Sequence, residues 1–349
     1  MREIVIVIAD LYLPPAAEAT APEAVAAFAA LPGIESVGRF GAHAALGRGG
    51  WREWLAGFAG RADLAGVAPA CIAAVLLERP VVREARASTS WIATPLQLTA
   101  GLARVHLDPR GIMRLPPTEL AELAADFGSV FGPCGFSLAP LPTGDFLLET
   151  RGIAAVDTVE PARCAGGDVA EALPRGAGAA PLRRLMSEIE MWLHGLALNE
   201  RRRVRGAAPV TALWPWGAAG RTVTPALRPV PEPPLAFGRD VWLEGLWRLQ
   251  GSLCRPLPQQ LQDVLAGTTA QRSVLVAEAG GELQRTDQLT LADAVARLDE
   301  RFVSPALRAL RRGELAAMTL VINDARVTIR RGNLIKLWRR PRAGLASFA

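Results

Sequence analysis

Apolar residues fall into two kinds of pattern along this chain. Continuous β-branched and aliphatic runs occur near its two ends, at residues 4–9 (IVIVIA), 273–277 (SVLVA) and 318–323 (MTLVIN). Such runs suit strands buried on both faces, as in a parallel sheet. Elsewhere apolar residues recur at three- and four-residue spacing, which predicts helices. These cover residues 22–31, 50–60, 118–132, 182–204, 240–251 and 291–310. In the second of them Trp51, Trp54, Leu55 and Phe58 share a face, which reads as core rather than as a binding stripe. Thr118 is the expected N-cap of the third, with Glu119 and Glu122 in its first turn. Residues 67–79 are apolar enough for a buried helix or a buried strand, and periodicity does not separate the two.

Other stretches have strand or loop character. Residues 91–107 suggest extended chain, with Pro95 at an edge or turn. Residues 135–149 read as two strands joined by Pro-Thr-Gly, and 163–181 as a Gly/Pro/Ala-rich linker. ARVTIR (325–330) and NLIKLW (333–338) alternate about Gly332 as a β-hairpin. Parallel-type strands at both ends with an α+β segment between them predict a discontinuous α/β core. The expected core spans residues 1–88 and 182–349, with a smaller α+β domain inserted at 89–181.

Composition narrows the class. The chain has 349 residues, too many for one small core, and half are hydrophobic against 21% charged, as in a globular protein. No apolar run reaches the roughly 18 residues that span a bilayer. The start, Met1-Arg2-Glu3 into IVIVIA, is too short for a secretory signal, so a cytoplasmic protein without a membrane segment is expected. The net charge is +5, but Lys336 is the only lysine. Arginine with Ala, Gly and Pro enrichment matches GC-rich codon usage, so the basic balance is discounted as a nucleic-acid signal. From Arg297 to Arg342 twelve basic side chains face four acidic ones, which reads as a solvated surface.

Reactive side chains are few. Histidine occurs only at His43, His106 and His194, and cysteine only at Cys71, Cys134, Cys164 and Cys254. No two cysteines form a CxxC pair, so zinc-ribbon and thioredoxin-like motifs are excluded, and buried free thiols are expected. GRGG (47–50) and GAAG (217–220) are neither Walker A nor GxGxxG loops.

The most distinctive stretch is LRRLMSEIEMWLHGLALNERRRVRGAAPVTALWPWG, residues 182–217. It carries His194, Asn199, Arg202, Arg205, Gly206, Pro209, Trp214, Trp216 and Gly217 in an H-x-x-x-x-N-x-x-R-x-x-R-G…P…W-x-W-G pattern. This pattern resembles that of RpfE-type regulatory proteins, also labelled phosphoglycerate-mutase-like. Residues 94–108 and 144–149 look like diverged forms of that family's inserted segment. The family is in turn distantly similar to the archaeal-type cofactor-independent phosphoglycerate mutases of the alkaline phosphatase superfamily.

The resemblance implies an alkaline-phosphatase-like core, with a mainly parallel sheet and helices on both faces. In those mutases the first strand ends in a metal-binding Asp and a late strand ends in Asp-His. Asp10 and Asp324 match these positions, but Ala325 follows Asp324. A two-metal phosphoryl-transfer site needs several carboxylates and imidazoles around two cations, plus a nucleophile. Three histidines, none beside Asp324, do not supply it. The expected protein is therefore catalytically degenerate, regulatory or ligand-binding, and without a cofactor. The alternative is a metal-dependent phosphotransferase or phosphatase with a reduced Mn or Zn site at Asp10 and Asp324. Asn199, Arg202, Arg205, Trp214, Trp216 and Gly217 are the candidate ligand residues, for a small anion or a protein partner. The sequence implies no oligomeric state.

Overall fold

The computed structural model describes residues 2–12, 31–77, 88–101, 104–219, 225–267, 270–286 and 288–333. The helix expected at 22–31 and the second hairpin strand at 333–338 fall almost wholly outside these. The chain divides into two compact units. The first comprises residues 1–66, 229–239 and 250–349, and the second 67–228 and 240–249.

In the first unit a six-stranded sheet has the order β10-β11-β1-β12-β13-β2. Its strands are β1 (Arg2–Ile8), β2 (Ala42–Ala45), β10 (Leu235–Phe237), β11 (Arg272–Ala277), β12 (Leu315–Ile322) and β13 (Ala325–Arg330). The first four in that order are parallel, and β13 and β2 are added antiparallel. This is the mostly parallel sheet that the β-branched runs predict: β1 is buried from Ile4 to Ile8 and β12 from Ala317 to Ile322. Ile4, Ile6 and Ile8 share one core with Met318, Leu320 and Ile322, as the two-residue strand period requires.

Helices α1 (Pro32–Phe40), α10 (Leu291–Leu298) and α11 (Ser304–Arg312) contribute to that core. Asp299, fully buried in a π-helical turn (Asp299–Val303) between α10 and α11, accepts hydrogen bonds from Gly33 N at 3.0 Å and Ile34 N at 2.9 Å. It thereby satisfies free amides at the start of α1, which has no side-chain cap of its own. Burial pushes its carboxyl up despite these bonds. Gly33 is needed there, because a Cβ would lie 2.2 Å from Asp299 Oδ1.

The second unit holds a four-stranded antiparallel sheet, order β6-β7-β3-β9. Its strands are β3 (Ser88–Leu96), β6 (Ser137–Pro140), β7 (Phe146–Arg151) and β9 (Ala212–Ala219). A small sheet of β4 (Thr99–Ala100), β5 (Val105–Leu107) and β8 (Gly167–Asp168) gives structure to part of the expected linker. The described part of the apolar stretch from residue 67 is helical, α3 (Pro69–Ala73) with a following 3-10 turn (Ala74–Leu76).

Two expectations are corrected. The second unit is larger than 89–181, and it takes in the 182–217 stretch that was expected to return to the parallel core. The reason lies in strand pairing: β9 pairs with β3, not with any strand of the first unit. Also, Thr118 does not cap its helix. α4 (Pro117–Phe131) starts one residue earlier, because Pro117 occupies the first helical position, where its missing N–H is not needed.

Candidate functional site

Asp10 lies just past the carboxyl end of β1, between its parallel neighbours β11 and β12. Ligands of open α/β sheets gather at this edge. Glu278 follows β11 in the same way. Asp10 is half-buried, and each of its carboxylate oxygens accepts a backbone hydrogen bond. Oδ1 takes Ala279 N at 2.6 Å and Oδ2 takes Gly280 N at 2.6 Å. These amides open the short helix α9 (Ala279–Leu283), so Asp10 ties the end of β1 to the end of β11. Burial pushes its carboxyl up to about 7, and the Glu278 charge adds to this, against the opposing pull of the two amides.

Asp324 stands two residues past the carboxyl end of β12, as Asp10 does past β1 in the neighbouring parallel strand. It is exposed, in the two-residue loop of the β12/β13 hairpin, where Ile322 pairs with Ala325. Asn323 takes the left-handed conformation that this loop requires, with φ of 54°. Its N–H bonds Leu11 O at 3.1 Å, and Asp324 O accepts Leu46 N at 2.7 Å. The hairpin therefore holds the chain beyond β1, while the Asp324 side chain sits on the turn.

Among the described residues no three His, Cys, Asp or Glu side chains come together as metal ligands. Of the cysteines only Cys71 is buried; Cys134 is exposed, and Cys164 and Cys254 are half-buried. The expectation of four buried thiols is corrected accordingly.

In the second unit, the helix expected over 182–204 is interrupted. α5 (Ala179–His194) stops at Gly195 and α6 (Ala197–Val204) follows. Asn199 is fully buried at this joint. Its amide nitrogen donates to Leu193 O at 2.7 Å and Val210 O at 2.8 Å, and its Oδ1 accepts Val210 N at 2.8 Å. It thus links the end of α5 to the chain entering β9.

Arg202 pairs with Glu119 of α4 and donates to Ala208 O at 2.7 Å. Arg205 bonds the other Glu119 oxygen at 2.7 Å, with Gly206 beyond it at φ of 71°. Trp214 and Trp216 are buried. Trp214 Nε1 donates to Val159 O at 2.8 Å, and Trp216 Nε1 to Thr94 Oγ1 at 3.0 Å. Gly217 has φ of 65°, and a Cβ there would lie 2.8 Å from Pro69.

The structure sets Asn199 at the α5–α6 joint, gathers Arg202 and Arg205 on Glu119 at the C-terminal end of α6, and sets Trp214, Trp216 and Gly217 along β9. Glu278 and Asn323 escape sequence reasoning. The first follows a recognisable strand and could be found that way. The second is marked by an Asn-Asp pair directly before the alternating segment 325–330.

The molecule is a mixed α/β protein, with a mostly parallel sheet in one unit and antiparallel sheets in the other. No family model matches the chain, and no curated protein matches it in sequence. Among solved structures it is similar to a cofactor-independent phosphoglycerate mutase from Thermoplasma acidophilum DSM 1728. That match has 16% identity and a TM-score of 0.44, over 100% of this chain and 94% of the other. It is also similar to the PH0037 protein from Pyrococcus horikoshii, at 11% identity and a TM-score of 0.45, over 94% of this chain and 87% of the other. No helix among the described residues is long and apolar enough to cross a membrane.

Proposed function

We propose that this chain is a phosphoglycerate-mutase-like protein whose strand-end position has become structural, and that it acts by binding or regulation rather than by two-metal phosphoryl transfer. The observation that carries this reading is the engagement of Asp10. Both of its oxygens are held by the amides of Ala279 and Gly280 at 2.6 Å. The motif residues Asn199, Arg202 and Arg205 likewise spend their polar groups on backbone carbonyls, a backbone amide and Glu119.

One arrangement favours the alternative, a phosphotransferase or phosphatase with a reduced metal site. Asp10 and the Asn323–Asp324 turn follow neighbouring parallel strands, joined through the bond from Asn323 N to Leu11 O. The deciding experiment is metal analysis of the purified chain after incubation with Mn or Zn, together with phosphate-ester turnover. Substoichiometric metal and no turnover are expected, with Asp10→Ala lowering stability only. Stoichiometric metal that both Asp10→Ala and Asp324→Ala remove would sink the binding-or-regulatory reading.

A further inference from the structure

The sheet of the first unit has a second face, and it is built differently from the one that carries Ile4, Ile6 and Ile8. The register sets side chains there in rows. One row runs Glu3–Ala317–Arg330 across β1, β12 and β13. The next runs Val5–Thr319–Thr328–Ala42, and Arg326 faces Ala44 in the row after that. Positions that would hold Leu, Ile or Phe in a filled core hold Ala or Thr.

Above this face stands helix α2 (Gly50–Phe58). Its apolar stripe divides. Trp51 and Leu55 are buried, while Trp54 and Phe58 are half-exposed and stack on each other with ring centroids 5.6 Å apart. Small floor residues beneath two large aromatic rings leave a cavity of about 550 Å³. That volume is in the range of small-molecule sites, roughly 300–1,000 Å³.

The cavity's chemistry is not that of a packing defect. Thr319 and Thr328 meet on its floor, with their hydroxyls 2.9 Å apart. The Arg326 guanidinium lies over the Trp54 ring, 5.5 Å from its centroid. Arg330 stands further along the same strand, with its side chain on the same face. Among the described residues no carboxylate forms an ion pair with Arg326 or Arg330, and Glu3 is the only acid on the lining. The wall therefore offers planar stacking surfaces, hydroxyl groups and a net positive charge.

We infer that this cavity binds a planar organic anion, a conjugated carboxylate, sulfonate or phosphate ester, with its flat body against Trp54 and Phe58 and its charge against Arg326 and Arg330. Rings accept stacked planar groups at little conformational cost. Guanidinium groups without a carboxylate partner supply charge-assisted hydrogen bonds to the anion. None of these residues belongs to the Asp10 position or to the 194–217 motif. The inference is thus independent of whether the chain retains catalysis.

The test uses 8-anilinonaphthalene-1-sulfonate as the probe, titrated into the full chain by fluorescence. One saturable site is expected. Losing one charge-assisted contact in Arg330→Ala or Arg326→Ala should weaken it by about tenfold or more. Ala317→Leu, which fills the floor, should abolish it. The neutral analogue N-phenyl-1-naphthylamine should bind at least about tenfold more weakly, for the same lost contact. Arg330 is exposed, so an unchanged thermal transition in Arg330→Ala separates lost binding from lost folding. Binding that does not saturate, survives both arginine substitutions, or is equally tight for the neutral analogue overturns the inference. Metal content and turnover, which test the Asp10 reading, are separate measurements on separate residues.

Discussion

Asn199 is where a ligand role and a structural role predict different outcomes. Its side chain makes three hydrogen bonds, all to backbone groups of Leu193 and Val210, and it is 1% exposed. Replacing it by Ala removes all three bonds. It also leaves two carbonyls and one amide without these partners in a site closed to water. At about 1 kcal/mol net per bond, with a further penalty for buried unsatisfied groups, the loss is about 3–4 kcal/mol. With a urea m-value of about 2 kcal/mol/M for a unit of this size, the unfolding midpoint falls by about 1.5–2 M.

Tryptophan fluorescence suits the assay. Trp91, Trp192, Trp214, Trp216, Trp242 and Trp247 all lie in the second unit, out of nine in the chain. Asn199→Asp sharpens the test. The new carboxylate can still accept from Val210 N, but it places charge against the Leu193 and Val210 carbonyls. Its pKa should rise on folding, so the variant should lose stability as pH rises from about 4. A midpoint shift below about 0.5 M for Asn199→Ala, equivalent to about 1 kcal/mol, would refute the structural account. Unchanged stability with weakened anion binding would make Asn199 a ligand residue instead.

Other substitutions follow the same reasoning. Glu119→Gln should destabilise by about 3–5 kcal/mol, because it leaves the buried Arg202 guanidinium facing a neutral group, whereas Arg205→Ala, at an exposed side chain, should change stability by less than about 1 kcal/mol; urea melts compare the two. Gly217→Ala combines a left-handed backbone with a contact to Pro69 and should lower stability by about 2–3 kcal/mol in the same assay. Asp10 titrates near 7 when folded against 3.8 ordinarily, so the native state holds the extra proton between those values. Its contribution to stability should therefore decline as pH rises from about 4 to about 7, by at most about 1.4 kcal/mol per unit, and Asp10→Asn should flatten that part of the pH–stability curve.

Local pattern made some of this architecture legible and hid the rest. β1, β11 and β12 are visible as apolar runs because strands buried on both faces need no polar alternation. The hairpin β6/β7 is visible because Pro-Thr-Gly punctuates it. What stays hidden is pairing. The sequence of β9 is as apolar as that of β12, and nothing in it says that its partner is β3. The assignment of residues 182–217 to the parallel core failed for this reason, and so did the 89–181 boundary. Asp324 does follow the end of the run that forms β12; what the run hides is that the chain turns at once, in two residues at Asn323–Asp324, and continues as β13.

The same distinction separates the residues that look functional from those that stand available. Polar side chains in the 194–217 motif are conspicuous in sequence because they interrupt apolar periodicity. In the fold those interruptions fall at a helix joint and an inter-helix ion pair, where backbone groups and Glu119 take up their hydrogen bonds. Arg326, Thr328 and Arg330 are inconspicuous, since a strand alternating polar and apolar residues is the ordinary form of a half-solvated sheet. Their distinction arises only when Thr319 joins Thr328 on the floor and Trp54 and Phe58 close over them. A bonding group whose capacity is spent within the fold has little left for a ligand. A group facing a cavity retains that capacity, which moves the search for this protein's ligand from the motif to the sheet face beneath α2.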